Sequence, residues 1–336
     1  MFREEVLAIS VLYEMLPTLL NFTLAFGAVT AIAAMGGVIA ERSGVINIAL
    51  EGIMRIGAFT SVTAAYFWGY HFSNDPIFFE LSPWIGLLAA ILGGALVGLL
   101  HAYICVTWKG NQIVNGVAIN IFSYGGMTYL LMQIFGTAGH SPPVPLAFAN
   151  RPIVIPWIDP YSFLGKVLWQ QTVFTYIALV LPILLYLFLF ETTWGLRLRA
   201  VGEHPRAADT LGINVFKSRY FAVIVSGVLA GIAGANISLG ISNLFTIHVP
   251  AGGGFIALAA MIFGKWNPLG ALGASFFFAF FRALEVAIAV SFPALLAYIP
   301  RGVFLATPYL LTILVLAGFV GRAVPPQAIG QPYEKG

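Results

Sequence analysis

The chain has 336 residues, of which 60% are hydrophobic and only 9% are charged, whereas a soluble domain averages about 25% charged residues. The formal net charge of +3 is too small to indicate a nucleic-acid-binding tail. A single cysteine, Cys105, excludes an intramolecular disulfide framework and a multi-cysteine metal site. Continuous apolar runs recur along the chain and predict an all-α polytopic membrane protein, with one transmembrane domain over residues 1–336.

Nine apolar segments are candidate spans, because a hydrocarbon core about 30 Å thick requires roughly 20 residues of helix. The seventh segment is too short to cross alone as a regular helix, so we expect about 8 to 10 membrane helices. The nine segments lie at 16–40, 45–68, 84–106, 112–135, 173–191, 219–239, 253–264, 268–290 and 302–321.

The second segment contains two charges, Glu51 and Arg55, in the run GVINIALEGIMRIGAF. A charge at the bilayer centre costs about 2.5–3.5 kcal/mol on insertion scales, so it normally faces the bundle or water. A four-residue spacing places both side chains on one helical face, and we interpret them as a mutually neutralising pair that pins this helix. A role of Glu51 on a transport pathway is the alternative.

Further polar groups lie within other predicted spans. Arg282 and Glu285 form a second pair at a three-residue spacing, and we hypothesise that all four charges join in one intramembrane network. Uncharged amide groups are contributed by Asn47, Asn115 and Asn120. We expect these seven residues to be the intramembrane polar groups of a translocation pathway, without forming a high-affinity site.

The distribution of cations orients the loops. The stretch 191–219 contains five Lys or Arg residues, whereas the longer loop 136–172 contains two. Because Lys and Arg favour the cytoplasmic side, we predict that loop 192–218 is cytoplasmic and that loop 136–172 is extracytoplasmic. Alternation then places the N-terminus outside and the motifs ERSG, TWKGN and GKWNP inside.

The cytoplasmic loop contains a predicted short helix at 202–212. Pro205 suits a first helical turn and pushes His204 out of the helical region, while Gly212 suits the C-terminal stop. Glu203 is expected at the negative-preferring start of the helix. Such a helix is either an ordinary connection or a surface that an external motor contacts.

Catalytic chemistry is absent from the sequence pattern. Neither Gly-Lys pair belongs to a phosphate-binding loop, and the five histidines show no metal-ligand spacing. We therefore expect a protein that is not an enzyme and that holds no cofactor or metal. A secondary carrier driven by an ion gradient, with Glu51 as its coupling carboxylate, is one rival; a structural membrane protein is another, which the polar groups within spans disfavour.

Four motifs, ERSGVINIALEGIM, GNQIVNGVAINIF, GLRLRAVGEHPRAADTLGI and FIALAAMIFGKWNPLGALGASFFFAFF, resemble permease subunits of ABC importers of the simple-sugar and branched-chain amino-acid superfamily. The similarity is greatest to the shorter permease of bacterial nucleoside importers. It implies nucleoside import through the cytoplasmic (inner) membrane, with a monosaccharide importer as the alternative. It also implies four partners: a second permease, an ABC ATP-binding subunit with two fused cassettes that holds the ATP and Mg, an extracytoplasmic substrate-binding lipoprotein, and membrane lipids.

The resemblance also implies roles for single residues. Residues 202–212 match the helix that couples the permease to the ATPase. Apart from the match, we expect a large side chain at either of the two small residues in the middle of this helix to obstruct docking. The matched positions and these two alanines are Glu203, Pro205, Arg206, Ala207, Ala208, Asp209 and Gly212. His204 and Arg55 depart from the family pattern, which has a smaller polar residue and an apolar residue at these two positions.

Overall fold

The computed structural model describes residues 2–168, 171–291, 310 and 323–335, with side chains from residue 15. All regular elements in these ranges are helices. We number them α1 Phe2–Arg42, α2 Leu50–His71, α3 Pro76–Glu80, α4 Ser82–Ala102, α5 Gln112–Phe135, α6 Phe163–Leu168, α7 Val173–Tyr186, α8 Thr193–Glu203, α9 Pro205–Thr210, α10 Val215–Ala235, α11 Gly253–Phe263 and α12 Pro268–Ser291. Three of them continue into π-helical turns, α4 to Thr107, α7 to Glu191 and α10 to Ile241.

Six helices in the described ranges are long and apolar enough to cross a membrane, and they confirm six of the predicted segments. They comprise Met15–Arg42, Ser82–Thr107, Gln112–Phe135, Val173–Glu191, Val215–Ile241 and Pro268–Ile288. The predicted segment 253–264 is α11, a short apolar helix as expected. The predicted segment 302–321 lies outside the described residues except at Leu310.

The predicted span 45–68 differs most from its expectation. Helix α2 is not among the six helices of the described ranges that are apolar enough to cross a membrane, and it begins at Leu50, after the irregular residues 43–49. Residues 50–59 of α2 are all buried, including Glu51 and Arg55, and the helix packs against α4, α5, α10 and α11. A central position in the bundle explains why a helix with two charges is tolerated: neighbouring helices, rather than lipid, surround it.

Close approach of helices α4 and α10 depends on glycine. A Cβ atom at Gly227 would overlap the carbonyl oxygen of Gly94, and one at Gly94 would overlap that of Gly227. Lipid provides no hydrophobic force between helices, so backbone contact of this kind stabilises their association.

The connecting loops gather at two ends of the bundle. At one end, Arg42 donates from Nε to the Trp266 carbonyl oxygen over 2.9 Å, and the Gly330 N–H donates to the Gly44 carbonyl oxygen over 3.0 Å. At the other end, the Ser141 N–H donates to the Phe245 carbonyl oxygen over 2.9 Å. The loops that the cation pattern assigns to the inside therefore lie together, and loop 136–172 lies at the opposite end.

Candidate translocation site and coupling surface

The irregular segment 43–49 lies between two buried helices, so its backbone groups need partners within the protein. Side chains from α4 and α5 supply them. Gln112 Oε1 accepts from the Ile46 N–H at 2.7 Å, and His101 Nε2 lies 3.0 Å from the Ile46 carbonyl oxygen. Asn120 bonds in both directions, donating to the Ile48 carbonyl oxygen at 3.0 Å and accepting from the Gly52 N–H at 2.7 Å. Asn120 thereby caps the start of α2.

The other two predicted amides also support the fold. Asn47 is fully buried and donates to Ser226 Oγ at 2.8 Å, which joins the irregular segment to α10. The amide nitrogen of Asn115 lies 2.8 Å from His101 Nδ1 and 3.4 Å from Cys105 Sγ. Asn47 therefore does not line a surface of this chain, while a pathway role for Asn115 and Asn120 stays a prediction.

Glu51 binds the backbone at the start of α11. Its two carboxylate oxygens accept from the N–H groups of Gly252 and Gly254 at 2.9 and 2.8 Å. A carboxylate at a helix N-terminus is stabilised by the unpaired N–H groups and by the helix dipole. The close fit requires glycine, because a Cβ atom at Gly254 would lie 2.5 Å from the Glu51 nitrogen.

Arg55 holds the same segment one turn farther along α2. Its Nε donates to the Val249 carbonyl oxygen at 2.8 Å, and its Nη1 donates to Ser123 Oγ at 3.2 Å. The guanidinium carbon lies 5.2 Å from the centre of the Tyr124 ring. We call Glu51, Arg55 and residues 249–254 the membrane clamp.

The predicted ion pair is confirmed, with a qualification. Arg55 Nη2 lies 3.8 Å from Glu51 Oε1, which is longer than the bonds that either side chain makes with segment 249–254. The charges therefore interact with each other and, at shorter distance, with backbone dipoles. Because the partners at 249–254 are about 200 residues away in sequence, helical spacing alone reveals the pair and misses the clamp.

The second predicted pair lies elsewhere in the bundle. Arg282 is exposed on α12, and its guanidinium carbon lies 4.8 Å from the centre of the Phe26 ring on α1. Glu285 is half-buried on the same helix. The contacts of Glu51 and Arg55 given above involve α5 and segment 249–254 instead, so a single network of all four charges stays a prediction.

The predicted coupling helix, 202–212, is shorter in the structure, where α9 spans Pro205–Thr210. The backbone conformations at its two ends are those that the sequence predicted. His204 has φ −136° and ψ 80°, which ends α8, and Pro205 then starts α9. Gly212 has φ +79°, the left-handed conformation expected at the stop. The prediction was wrong for Glu203, which is the last residue of α8. Its carboxylate accepts from the Gln327 N–H at 3.1 Å rather than stabilising the start of α9.

The two alanines of α9 differ in environment. Ala207 is exposed, whereas Ala208 is 2% exposed and packs with Val201, Val215 and Tyr333. The expectation that a large side chain at either position obstructs docking is therefore wrong for Ala208, where it would first disrupt packing inside this chain. Arg206 is exposed beside Ala207, and Asp209 is half-buried.

Segment 323–335 packs against α8 and α9 without regular structure. The Ala328 N–H donates to the Gly202 carbonyl oxygen at 2.9 Å, and Arg219 Nη1 donates to the Gln331 carbonyl oxygen at 2.9 Å. Together with the Gly330–Gly44 bond, these contacts hold the segment next to α9, where Tyr333 packs with Ala208. We call α9 and segment 323–335 the loop clamp. Sequence reasoning missed it, because this stretch has neither apolar periodicity nor charge clustering.

Comparison with known proteins identifies the family. The family described as the permease component of the branched-chain amino acid transport system matches residues 19–317. The chain belongs to this family of ABC transporter permeases. The permease is 43% identical to the guanosine ABC transporter permease protein NupQ of Bacillus subtilis, over 96% of this chain and 98% of NupQ.

Two further relatives come from a bacterium and from an archaeon. The nucleoside ABC transporter permease protein NupC of Lactococcus lactis is 40% identical over 90% of this chain and 92% of its own. The protein TsgC13 of Haloferax volcanii, whose name assigns it to glucose ABC transport, is 33% identical over 80% and 77%. The permease is thus an integral membrane protein that works with ATP-binding and substrate-binding components.

Proposed function

We propose that this permease imports nucleosides, as one of two permease subunits that together form the translocation pathway. The observation that carries the proposal is the near full-length similarity to NupQ, which is named for guanosine transport. The similarity to NupC, named for nucleosides, points to the same class of substrate. A monosaccharide is the second candidate, because the more distant TsgC13 is named for glucose.

The exposed face of α5 supports a nucleoside pathway. A nucleoside presents a flat base and several hydrogen-bonding groups, and aromatic rings stack well on such bases. Tyr124 is 48% exposed beside the Arg55 guanidinium. Phe122 and Tyr129 are also exposed, but the helical repeat places them on the other flank of α5. Of the six candidate spans in the described ranges, α5 is the least buried within this chain. We propose that the flank of α5 that carries Tyr124 meets the second permease and the substrate.

The membrane clamp argues against a role of Glu51 in ion coupling. Both oxygens of Glu51 accept backbone N–H bonds, so its carboxylate is committed to the start of α11. A secondary carrier would need that carboxylate to bind and release its coupling ion at the midplane. We propose instead that ATP and Mg are held by a partner with two fused cassettes, and that an extracytoplasmic lipoprotein delivers substrate.

Coupling to that ATPase is proposed for α9 and its flanking residues. Pro205 and Gly212 define a short helix, and Arg206 and Ala207 are exposed on it. The buried side chain of Ala208 packs α9 against Val201 of α8 and Val215 of α10. A helix that is attached to the bundle on one face and exposed on the other is suited to transmit the motion of a partner.

Uptake by the complete complex in liposomes tests the substrate class. Labelled guanosine, uridine, ribose and galactose are each presented with the binding protein, and ATP is enclosed on the side of the ATPase. We expect ATP-dependent uptake of nucleosides that excess sugar does not inhibit. Sugar uptake that excess nucleoside does not inhibit would assign the monosaccharide function instead.

A second arm tests the class of transporter. We expect the purified permease alone to hydrolyse no ATP and to accumulate no nucleoside, since it has no phosphate-binding loop. Uptake by this single chain under an imposed ion gradient would instead assign a secondary carrier.

A third arm tests Tyr124. We expect Tyr124→Leu to slow nucleoside uptake about tenfold, which corresponds to about 1.4 kcal/mol, and Tyr124→Phe to retain most of the rate because the ring remains. Tyr103→Leu is the matched control, since Tyr103 is an exposed aromatic residue in the π-turn after α4 and contacts Trp108. Equal rates for Tyr124→Leu and the control would remove Tyr124 from the pathway.

A further inference from the structure

We propose that residues 327–334 form, together with α9, one composite docking surface for the ATP-binding subunit, and that this segment links the surface to the loop that enters the membrane. The inference rests on the proposed coupling role of α9 and extends it. It adds a second wall to the site, made of a segment far from α9 in sequence, and a physical connection from that wall to the membrane clamp.

Helix α9 is too small to be the docking surface by itself. Six residues of α-helix span only about 9 Å, and the side of α9 that carries Ala208 is buried in the permease. A stable protein interface buries about 800 Å² on each partner. Neighbouring surface must therefore take part in docking.

The neighbouring surface on one side is segment 323–335. A cleft of about 680 Å³ lies between the two, lined on one wall by His204, Arg206 and Ala207. Its other wall includes the exposed residues Gln331 and Glu334. Charged and amide groups on both walls suit the polar rim of a soluble protein's interface rather than lipid.

A second groove, beside the residues that follow α9, has a different lining. It contains the exposed aromatic residues Trp194 and Phe221 with the cations Arg197 and Lys217. Phe221 belongs to the membrane span of α10, so this groove continues onto the lipid-facing surface. Aromatic residues next to cations are typical of the membrane–water boundary. The polar cleft is therefore the side that a soluble ATPase contacts.

Both walls of the cleft are held in place before a partner binds. The Gln327 N–H donates to Glu203 at 3.1 Å, and Lys109 Nζ pairs with Glu334 Oε1 at 2.7 Å. Tyr333 packs edge-on against Phe216, with ring centres 5.6 Å apart. Burial and the nearby Asp209 carboxylate raise the pKa of the Tyr333 hydroxyl. A preformed cleft loses little conformational freedom when the partner docks.

The same segment contacts the route into the membrane. The Gly330 N–H donates to the Gly44 carbonyl oxygen at 3.0 Å, and Gly44 precedes the irregular residues 45–49. Those residues lead directly to α2, where Glu51 holds the start of α11. A displacement of segment 327–334 by the ATPase would therefore be passed to the membrane clamp through the irregular residues 45–49 and the first turn of α2.

Site-specific crosslinking on the assembled transporter tests the docking surface. Cys105 is buried, so a cysteine introduced at an exposed position is the reactive one for a benzophenone maleimide. We expect Gln331→Cys and Glu334→Cys to crosslink to the ATP-binding subunit as strongly as Arg206→Cys, which replaces a long, exposed side chain of α9. Asp159→Cys, exposed at the opposite end of the bundle, is the control and should give no such product.

The pattern of crosslinks separates the possible failures. Crosslinking from Arg206→Cys without any from Gln331→Cys or Glu334→Cys would overturn the composite surface and leave α9 as the coupling element. Failure at all three positions would overturn the composite surface together with the coupling role of α9. Neither result depends on whether the substrate is a nucleoside or a sugar, because docking is measured without substrate.

A charge exchange tests whether the segment must be held in position. The assembled complex should hydrolyse ATP faster than the free ATP-binding subunit does. We expect Lys109→Glu and Glu334→Lys each to reduce this stimulation at least twofold. The double exchange restores the ion pair and should restore the rate. A double variant no faster than either single variant would contradict the positioning role of segment 327–334.

Discussion

The membrane clamp and the loop clamp both hold irregular backbone, but they use different chemistry. In the membrane clamp, two charged side chains bind segment 249–254 through bonds of 2.8–2.9 Å. In the loop clamp, segment 323–335 is held by backbone bonds to Gly202 and Gly44, by Arg219 and by the exposed Lys109–Glu334 pair. Irregular backbone within the bilayer has no water as an alternative partner, so strong buried groups are needed there.

This contrast indicates how the two clamps should respond to change. A buried charge that loses its partner is costly, because it has no solvent to return to. An exposed pair that is lost is replaced by hydration at little cost. The membrane clamp should therefore behave as a rigid structural element. In the loop clamp the exposed Lys109–Glu334 end should be displaced and re-formed during transport, while the buried Arg219 keeps its bond to Gln331.

The largest effect of a single substitution is expected from Glu51→Gln. The substituted amide can accept from only one of the two glycine N–H groups and leaves Arg55 without its counter-charge. Breaking a buried charged interaction of this kind costs about 3–5 kcal/mol. We expect a lower unfolding temperature in detergent and a lower folded yield. Glu80→Gln, at the exposed ion pair with Arg151, is the control and should change little.

The double variant Glu51→Gln with Arg55→Leu separates two descriptions of the clamp. Helical spacing alone predicts that the double variant is more stable than Glu51→Gln, because the charges would be mutually neutralising. The structure predicts the opposite, since removal of Arg55 also leaves the Val249 carbonyl without its donor. A double-mutant cycle measures the difference. A double variant that is more stable than Glu51→Gln would contradict our description of two separate bonds to segment 249–254.

Two glycine substitutions should give intermediate effects with different physical causes, one in the membrane clamp and one at the stop that follows α9. In Gly254→Ala the new methyl group would lie 2.5 Å from the Glu51 nitrogen, and backbone atoms cannot rotate away. Overpacking of this kind costs about 1–3 kcal/mol. Gly212 has open space around it, so Gly212→Ala loses only its left-handed conformation, at about 1–2 kcal/mol.

Asparagine at the same two positions sharpens that comparison. Asn tolerates the left-handed conformation, so Gly212→Asn should be more stable than Gly212→Ala. Gly254→Asn should be less stable than Gly254→Ala, because its side chain is larger. Thermal unfolding of the four variants measures this, and the same order of Ala and Asn at both positions would refute it.

The alanines of α9 should separate folding from coupling. We expect Ala208→Trp to destabilise the loop clamp by about 1–3 kcal/mol through overpacking against Val201, Val215 and Tyr333. Ala207→Trp should leave the unfolding temperature unchanged, but the complex should lose ATPase binding and uptake together. Co-purification with the ATP-binding subunit is the measurement. Normal uptake by Ala207→Trp would transfer the coupling role to another loop, such as TWKGN or GKWNP.

The smallest effect concerns pH at the loop clamp. The hydrogen bond and charge of Lys109 lower the pKa of the Glu334 carboxyl below its usual value of 4.5. A lowered folded-state pKa contributes stability above pH 4.5 and loses it as pH falls through the lowered value. We expect hydrogen exchange at residues 328–331, corrected for the intrinsic pH dependence, to accelerate over that range. In Lys109→Gln the acceleration should disappear, and its persistence would assign it to another group.

The sequence by itself determined the membrane class, the six spans confirmed in the described ranges and the break between α8 and α9. These features depend on local physics. Apolar length decides whether a helix can cross a bilayer, and Pro205 and Gly212 restrict the backbone within a residue or two of themselves. The spacing of Glu51 and Arg55 likewise indicated a pair on one helical face, which the structure confirms.

Only the tertiary structure decided what those residues bind. Glu51 finds its partners at Gly252 and Gly254, and segment 323–335 meets Gly44 and Gly202, across sequence separations that periodicity and turn rules do not reach. Burial is decided in the same way, since Ala207 and Ala208 are adjacent and identical yet only Ala208 is covered, by residues from three other parts of the chain. A side chain's neighbours depend on how whole helices pack, and helix packing is a property of the assembled bundle.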